Sequence, residues 1–292
     1  AMITGATGDI GRQLAADLAA RGCRALLLTG RSALTPDKDA ALQAMRAQGV
    51  AITWYRGELT DAAALREAVD RFRHAHGAIT HVFHCAGAVD SETPAFVQKT
   101  RASIQRVMAP KVHALQVLHD VFAAQAPRAF VLFSSVSAVA PTLAAGVLDY
   151  AAANHYLDLF AQHQRAQGHP QYLSVQWTRW RELGLARHSR QGQDHGVALD
   201  ARICFDTLQR LLAQQAHLPA AVCVLAEGDR VFDAAPVAVA APKPVSPRVN
   251  ATTAPVPSAE VLAQVRRLVA QELERPESQL DERATFEELG ID

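Results

Sequence analysis

The sequence predicts an α/β fold in which helices cover both faces of a doubly wound parallel β-sheet. Short runs of apolar and β-branched residues recur along the chain, and their near-continuous hydrophobicity is typical of strands buried on both faces. Longer segments with helical periodicity separate these runs. Because strands and helices alternate, we expect successive βαβ units with right-handed crossovers.

The predicted strands and helices account for most of the first 233 residues. The strands cover residues 25–29, 51–55, 81–84, 129–134, 172–177 and 221–225. The helices include residues 12–21, 40–48, 62–74, 112–124 and 151–167. The apolar run at residues 1–4 leads at once into a glycine loop, so we expect it to be the end of a first strand whose beginning is trimmed.

The composition argues against several classes of function. The 292 residues contain 29 Lys and Arg and 29 Asp and Glu, and this balance gives no basic excess of the kind that nucleic acid or anionic lipid requires. The four cysteines are dispersed and form no CxxC pair, which predicts no metal site and a reducing, cytoplasmic setting. No apolar stretch approaches the roughly 20 residues of a membrane span.

The composition changes sharply near Asp233, and this change predicts three regions. Residues 1–233 form the α/β domain. Residues 234–257 form a linker, because this stretch is almost entirely Ala, Pro, Val, Thr and Ser and cannot bury a core. Residues 258–292 begin with an amphipathic helix that Ser258 can cap. One such helix is not stable alone, so we expect a truncated helical domain.

A glycine-rich loop between the first strand and the first helix carries the first candidate site. Glycine allows tight turns and a close approach of phosphate to backbone N–H groups, and the start of a helix favours anions. The pattern therefore predicts a Rossmann-type dinucleotide site. Its candidate residues are Gly5, Thr7, Gly8, Asp9, Ile10 and Gly11.

The end of the second strand predicts which dinucleotide is bound. An acidic residue at this place binds the ribose 2′-hydroxyl of NAD, whereas this chain has Arg31 followed by Ser32. A guanidinium forms charge-assisted hydrogen bonds with a 2′-phosphate, which favours NADPH. Two further strand ends are expected to flank the same cofactor, with candidates Glu58, Leu59, Ala86 and Gly87. A solvated surface arginine and simple tight turns are the alternative interpretations.

Polar residues at another strand end and on the following helix predict a catalytic group. Ser135 ends the fifth strand, with Ser134 and Ser137 as alternatives. Tyr150 and Asn154 share one face of a helix because they are four positions apart. We therefore expect the serine, the phenol and the amide to face one cleft.

The tracts FSSVS at 133–137 and DYAAAN at 149–154 resemble the short-chain dehydrogenase/reductase family. Most members of that family carry lysine four residues after the tyrosine. This chain has asparagine there and a lysine earlier, Lys111, on an expected helix. That exchange is similar to the ketoreductase domains of polyketide and animal fatty acid synthases. The resemblance covers residues 1 to about 233, with the motifs in the expected order.

The resemblance implies a role for each member of the catalytic group. Tyr150 is the general acid, and Ser135 donates to the substrate carbonyl. Lys111 binds the ribose and lowers the pKa of the tyrosine, and Asn154 organises a path of water. Tyrosine has an ordinary pKa of about 10, and a nearby ammonium favours the phenolate. The spacing from Lys111 to Ser135 matches the family, and it favours Ser135 over the neighbouring serines.

Three further segments extend the resemblance. The tract WTRW at 177–180 is similar to a WGxW tract beside the nicotinamide, although Thr178 replaces the glycine and both tryptophans could equally be core residues. Residues 182–196 have no clear period and are expected to form a mobile substrate lid. Residues 286–292 resemble the segment of an acyl carrier domain that leads directly into its phosphopantetheine serine, and the sequence ends one residue before that serine.

The resemblance therefore implies a reductase that works within a synthase. Its substrate would be a β-ketoacyl chain on an acyl carrier domain, and its product would be the β-hydroxyacyl chain. Its partners would be neighbouring synthase domains in the same polypeptide. A catalytically silent structural module and a free-standing short-chain dehydrogenase are the alternatives. The residues do not predict the configuration of the product hydroxyl.

Overall fold

The computed structural model describes residues 1–90, 92–185 and 197–227, together with residues 263, 266, 267, 270 and 276. The chain divides into two compact units, Ala1–Ala235 and Pro236–Asp292. The predicted linker at 234–257 lies outside the described residues, as do most of the predicted carrier segment and the lid residues 186–196. Within residues 258–292, the described residues Ala263, Arg266, Arg267 and Ala270 are helical.

A seven-stranded parallel sheet forms the centre of the first unit, in the part of the chain that the structure describes. The strands are β1 (Met2–Thr4), β2 (Ala25–Gly30), β3 (Ala51–Arg56), β4 (His81–His84), β5 (Ala129–Ser135), β6 (Tyr172–Trp177) and β7 (Ala221–Val224). Their order is β3-β2-β1-β4-β5-β6-β7, and every neighbouring pair is parallel. The predicted doubly wound fold is confirmed. Its strand order reverses between β1 and β4, the place where such sheets bind ligands.

Helices cover both faces of the sheet. Within the described residues they are α1 (Asp9–Ala20), α2 (Pro36–Ala47), α3 (Ala62–His76), α4 (Arg101–Met108), α5 (His113–Phe122), α6 (Pro141–Ala144), α7 (Leu148–Ala166) and α8 (Ala201–Ala213). The helix predicted from residue 12 begins at Asp9, because Gly8 is its N-cap and Asp9 is a favourable acidic residue in its first turn. The helix predicted from residue 151 begins at Leu148, so Tyr150 lies inside its first turn.

The prediction that Lys111 lies on a helix is wrong. Lys111 lies in the turn between α4 and α5, where its backbone N–H donates to Met108 O over 3.0 Å. A helix cannot run through Pro110 undisturbed, because proline lacks the N–H that the helix needs and its ring crowds the preceding turn. The helix therefore restarts at His113, and the turn directs the Lys111 side chain to the end of β5.

Alternate residues along each strand enter two separate cores, one on each side of the sheet. Ile3 and Leu26 pack in the core beneath α1, α2 and α8. Met2 and Leu27 pack in the core beneath α3, α5 and α7. Burying an aliphatic side chain of this size contributes about 1.5–3 kcal/mol. Burial of both faces explains why the strands are recognisable as continuous apolar runs.

Substitution of Phe130 tests how tightly the core beneath α3, α5 and α7 is packed. It is fully buried, and its ring lies 4.8 Å from Tyr172 and 6.1 Å from Phe122 between ring centroids. We expect Phe130→Ala to lower the free energy of unfolding in urea by about 3–5 kcal/mol, because the cavity cannot close. Phe96→Ala, at a half-exposed ring, should change it by less than about 0.5 kcal/mol. Equal losses in the two variants would contradict this packing.

Candidate active site

The glycine loop has the geometry of a phosphate site. Gly5 has a φ of 68°, and a Cβ there would lie 2.8 Å from the Cα of Ala86. A Cβ on Gly11 would lie 2.6 Å from Gly5 O. Gly8 caps α1 without a side-chain hydrogen bond, so the helix presents backbone N–H groups and the positive end of its dipole at this loop. Gly5 and Gly11 therefore allow a compact turn that a side chain at either position would disrupt.

A cleft of about 930 Å³ opens at the carboxyl ends of the strands, next to the reversal between β1 and β4. This volume lies at the upper end of the range for small-molecule and cofactor sites. The predicted site residues that line the cleft are Gly5, Thr7, Gly8, Asp9, Ile10, Gly11, Arg31, Glu58, Leu59, Ala86, Gly87, Lys111, Ser135 and Tyr150. Two predicted site residues do not line it: Ser32 is exposed, and Asn154 is completely buried behind the cleft.

Lys111 brings a buried ammonium to the centre of the cleft. Its Nζ donates to Phe133 O over 2.7 Å and lies 5.9 Å from the centroid of the Tyr150 ring. A Cβ on Gly87 would lie 3.0 Å from the Lys111 Cε, so the missing side chain at that position makes room for the lysine. Burial lowers the pKa of Lys111 to about 8, with Cys85 and Asp158 acting in the opposite direction. The amine and the tyrosine ring are therefore neighbours in the cleft.

Tyr150 lies in the first turn of α7, facing the cleft. Burial raises the pKa of its phenol, while the polar side chains of Asn154 and Ser135 act in the opposite direction. Asn154 is one helical turn further on, and its Nδ2 donates to Tyr150 O over 2.8 Å. The amide therefore holds the backbone of the tyrosine and does not line the cleft, so the expectation that it faces the cleft together with the phenol is wrong.

The hydrogen bonds distinguish the three candidate serines. Ser134 Oγ donates to Asn154 O over 3.1 Å, so this hydroxyl joins β5 to α7. Ser135 Oγ accepts from the backbone N–H of Ser137 over 3.2 Å and from its hydroxyl over 3.0 Å. Because Ser135 Oγ is an acceptor in both contacts, its own proton is free to be donated into the cleft. Among the three, Ser135 has the arrangement expected of a donor to a substrate carbonyl.

A buried polar contact that was not predicted joins the ends of β1 and β4. Thr4 Oγ1 lies 2.8 Å from His84 Nδ1 and accepts from the N–H of Ala86 over 3.2 Å. Burial, reinforced by Lys111, lowers the pKa of His84 to about 3, so the ring is neutral and shares one hydrogen bond with the threonine hydroxyl through Nδ1. The contact fixes the Ala86–Gly87 segment beside Gly5. Its only sequence signal is a threonine and a histidine at the ends of otherwise apolar strands.

The two tryptophans after β6 are core residues as well as cleft residues. Trp177 and Trp180 are almost fully buried, and their ring centroids are 5.1 Å apart. Trp180 also packs against Phe205 of α8 at 5.1 Å. Of the segment predicted to be a lid, the described part includes Gly184, where a Cβ would lie 3.0 Å from Ile10 Cδ1 of the glycine loop. The segment after β6 therefore approaches the start of α1, and both line the cleft.

The described residues contain neither a metal centre nor a membrane span. Within residues 1–90, 92–185, 197–227 and the five later positions, no group of three His, Cys, Asp or Glu side chains could hold a metal ion. Within the same residues, no helix is long and apolar enough to cross a membrane.

The fold and the cleft together define a class of protein, the oxidoreductases of the short-chain dehydrogenase/reductase type. A family model described as "KR domain" matches residues 1–182. The chain therefore belongs to the ketoreductase domain family, whose members act in polyketide synthases and use a nicotinamide cofactor. The compact glycine loop and the volume of the cleft fit such a cofactor.

Relatives of this chain are much longer synthases. Polyketide synthase PksL of Bacillus subtilis (strain 168) is 36% identical over 198 residues, which cover 63% of this chain and 4% of the relative. A phenolphthiocerol/phthiocerol polyketide synthase of Mycobacterium tuberculosis (strain ATCC 25618 / H37Rv) is 30% identical over 320 residues, covering 99% of this chain and 16% of the relative. The chain thus spans only a small part of the length of these relatives.

Solved structures of ketoreductases are also similar to this chain. An N-terminal ketoreductase from the macrolactin assembly line has a TM-score of 0.66 and 30% identity, and the match covers 77% of this chain and 44% of that one. A ketoreductase domain from the bacillaene assembly line has a TM-score of 0.69 and 27% identity, covering 77% and 55%. Both matches support the fold and the family over the first unit.

The close approach inside the glycine loop generates a prediction. In Gly11→Ala the new methyl group would meet the backbone atoms Gly5 O and Ala6 Cα, so the loop must open. We expect affinity for NADPH, titrated by its fluorescence, to fall at least about tenfold, equivalent to 1.4 kcal/mol. Ala16→Ser, on the exposed face of the same helix, should bind as the unchanged protein does. Unaltered affinity in Gly11→Ala would show that the loop does not hold the cofactor.

Proposed function

We propose that the chain reduces a β-ketoacyl thioester, held on an acyl carrier domain, to the β-hydroxyacyl thioester during polyketide chain extension, with NADPH as the reductant. The observation that carries the proposal is the convergence of the Lys111 ammonium, the Tyr150 phenol and the Ser135 hydroxyl on one cleft. This cleft also contains the glycine loop. Reduction of a ketone requires a bound hydride donor and a proton donor next to the same carbonyl group.

The side chains have complementary tasks in this reaction. When bound, NADPH supplies the hydride that reduces the carbonyl carbon, and negative charge then develops on the carbonyl oxygen. Tyr150 donates its phenolic proton to that oxygen, and Ser135 donates a hydrogen bond to it. Burial keeps the phenol protonated before the reaction, because it raises the pKa of Tyr150. The Lys111 ammonium then stabilises the phenolate that remains.

Preference for NADPH over NADH is supported by the cations at one end of the cleft. Arg31 follows β2 and lines the cleft, and Lys38 of α2 lines it as well. The position that is acidic in NAD-binding folds is occupied by the Arg31 guanidinium, which can hold a 2′-phosphate through paired hydrogen bonds. Glu58 and Leu59, after β3, would flank the adenine.

The proposed carrier-bound substrate rests on the kind of relative that the chain matches. The relatives are polyketide synthases, and the mycobacterial relative aligns with 99% of the chain, beyond the end of the α/β domain. This supports the predicted linker at 234–257 and a carrier segment at 258–292. The intact catalytic group argues against a silent structural module, and the length of the relatives argues against a free-standing dehydrogenase.

Removal of one hydroxyl tests the proposed acid. In Tyr150→Phe the proton donor is lost while the ring remains, so we expect turnover of a short β-ketoacyl thioester, followed by NADPH absorbance, to fall by about 10²–10⁴-fold. Tyr156→Phe, on the same helix, should retain full turnover, because that hydroxyl bonds the exposed Gln116 side chain. Undiminished turnover in Tyr150→Phe would exclude this role.

Charge reversal after β2 tests the choice of cofactor. In Arg31→Asp the 2′-phosphate would meet a carboxylate, so we expect the Kd for NADPH to rise about 10- to 100-fold and the Kd for NADH to change little. Arg24→Asp, at the opposite end of the same strand, is the matched control and should leave both constants unchanged. Equal losses for the two cofactors in Arg31→Asp would show that the 2′-phosphate is not bound there.

A further inference from the structure

A cluster of buried charges lies beside the catalytic group and is not part of it. The Lys99 ammonium lies 3.2 Å from Asp149 Oδ2 and 3.5 Å from Asp90 Oδ2. The side chains of Lys99 and Asp149 are completely buried, and that of Asp90 is 5% exposed. A fourth charge, the exposed Arg106 guanidinium of α4, lies 4.0 Å from Asp90 Oδ2. Two cations therefore face two carboxylates.

The cluster joins two segments that both contribute residues to the lining of the cleft. Asp149 lies in the first turn of α7, and its Oδ1 accepts from the backbone N–H of Tyr150 over 3.0 Å. Asp90 lies in the segment after β4, whose neighbouring residues Val89 and Pro94 line the cleft. Lys99 also donates to Asp90 O over 3.0 Å, so the ammonium contacts this segment through both its backbone and its side chain.

Further hydrogen bonds join the Asp90 side chain to the backbone of residues that follow it. Asp90 Oδ1 accepts from the backbone N–H groups of Glu92 and Thr93 over 3.2 and 3.3 Å. In both Asp90 and Asp149, Oδ1 therefore accepts hydrogen bonds from nearby backbone N–H groups, while Oδ2 faces the Lys99 ammonium. The ammonium therefore connects the Asp90 carboxylate directly to the Asp149 carboxylate at the start of α7.

Burying such a cluster costs free energy. The cost indicates that the cluster serves to position the segments it joins rather than to stabilise the fold. Burying each ion costs several kcal/mol, and apolar side chains of similar volume would stabilise the fold equally well or better. If the ammonium were lost, two carboxylates would remain close together in a buried place, and they would repel each other. The segments that carry them would separate, and Asp149 is covalently next to Tyr150. A displacement of the phenol by about 1 Å is enough to cost on the order of 10²-fold in rate.

We propose that Lys99 is a positioning residue for the reduction: by bridging Asp90 and Asp149, its ammonium fixes the start of α7, and with it the Tyr150 phenol, relative to the segment after β4. This inference rests on the proposed function, because it assigns a task to the same tyrosine. The glycine loop, which is proposed to bind the cofactor, lies between β1 and α1 and contains none of the three residues Asp90, Lys99 and Asp149. Loss of Lys99 should therefore reduce the rate of proton donation and leave cofactor binding intact.

The test uses Lys99→Met, which keeps the length of the side chain and removes its charge. We expect kcat with a saturating β-ketoacyl thioester to fall about tenfold or more, at a temperature well below the unfolding transition, while the Kd for NADPH stays within about twofold. Arg71→Met is the matched control, since it removes an exposed ion pair with Glu67 on α3, and it should leave both quantities unchanged. A folded Lys99→Met protein with full kcat would overturn the proposal. So would a parallel loss of kcat and NADPH affinity, the mark of general disruption.

A second variant decides the question if Lys99→Met does not fold. Asp149→Asn preserves the shape of the side chain and an oxygen that can accept from the Tyr150 N–H, but it removes the charge that faces Lys99. We expect the same pattern, a lower kcat with unchanged NADPH affinity, and an unchanged kcat would overturn the proposal. A wild-type chain that binds NADPH without any turnover would instead refute the proposed function, and the positioning role with it.

Discussion

A buried ammonium at the carboxyl end of β5 is the constraint on which the rest of the cleft depends. Removing an ammonium from water is unfavourable, and here it lowers the pKa of Lys111 to about 8. The short contact to Phe133 O compensates part of that cost, and the absence of a side chain on Gly87 provides the space. The same ammonium lies 5.9 Å from the centroid of the Tyr150 ring, so it is placed beside the proposed proton donor.

The parallel sheet is what brings these groups together. Carboxyl ends of parallel strands meet at one edge, so the glycine loop after β1, Gly87 after β4 and Ser135 at the end of β5 all open into the same cleft. Burial of both faces of the sheet leaves that edge as the natural place for polar chemistry. Behind the cleft, the contacts of Thr4 with His84 and of Ser134 with Asn154 O join neighbouring elements and keep the edge in register.

The parts of the site that follow from local patterns were predictable from the sequence, and the parts that depend on distant contacts were not. The glycine spacing predicted the loop at Gly5 and Gly11, and the four-residue spacing predicted that Tyr150 and Asn154 share a helix face. Lys111 was predicted to lie on a helix, whereas the chain turns at Pro110 and α5 begins only at His113. Lys99 and Asp149 are fifty positions apart in the chain, so no periodic pattern relates them. Their pairing became visible only when the fold placed both against Asp90.

The most direct test of this account is a crystal structure of the chain with NADPH bound. We expect the nicotinamide ring to lie in the cleft, with the Lys111 Nζ in hydrogen-bonding distance of the adjoining ribose. The hydroxyls of Tyr150 and Ser135 should lie together beside the ring. A cofactor bound elsewhere on the surface, or a Lys111 side chain that turns away from Tyr150 when the cofactor binds, would contradict the central claim.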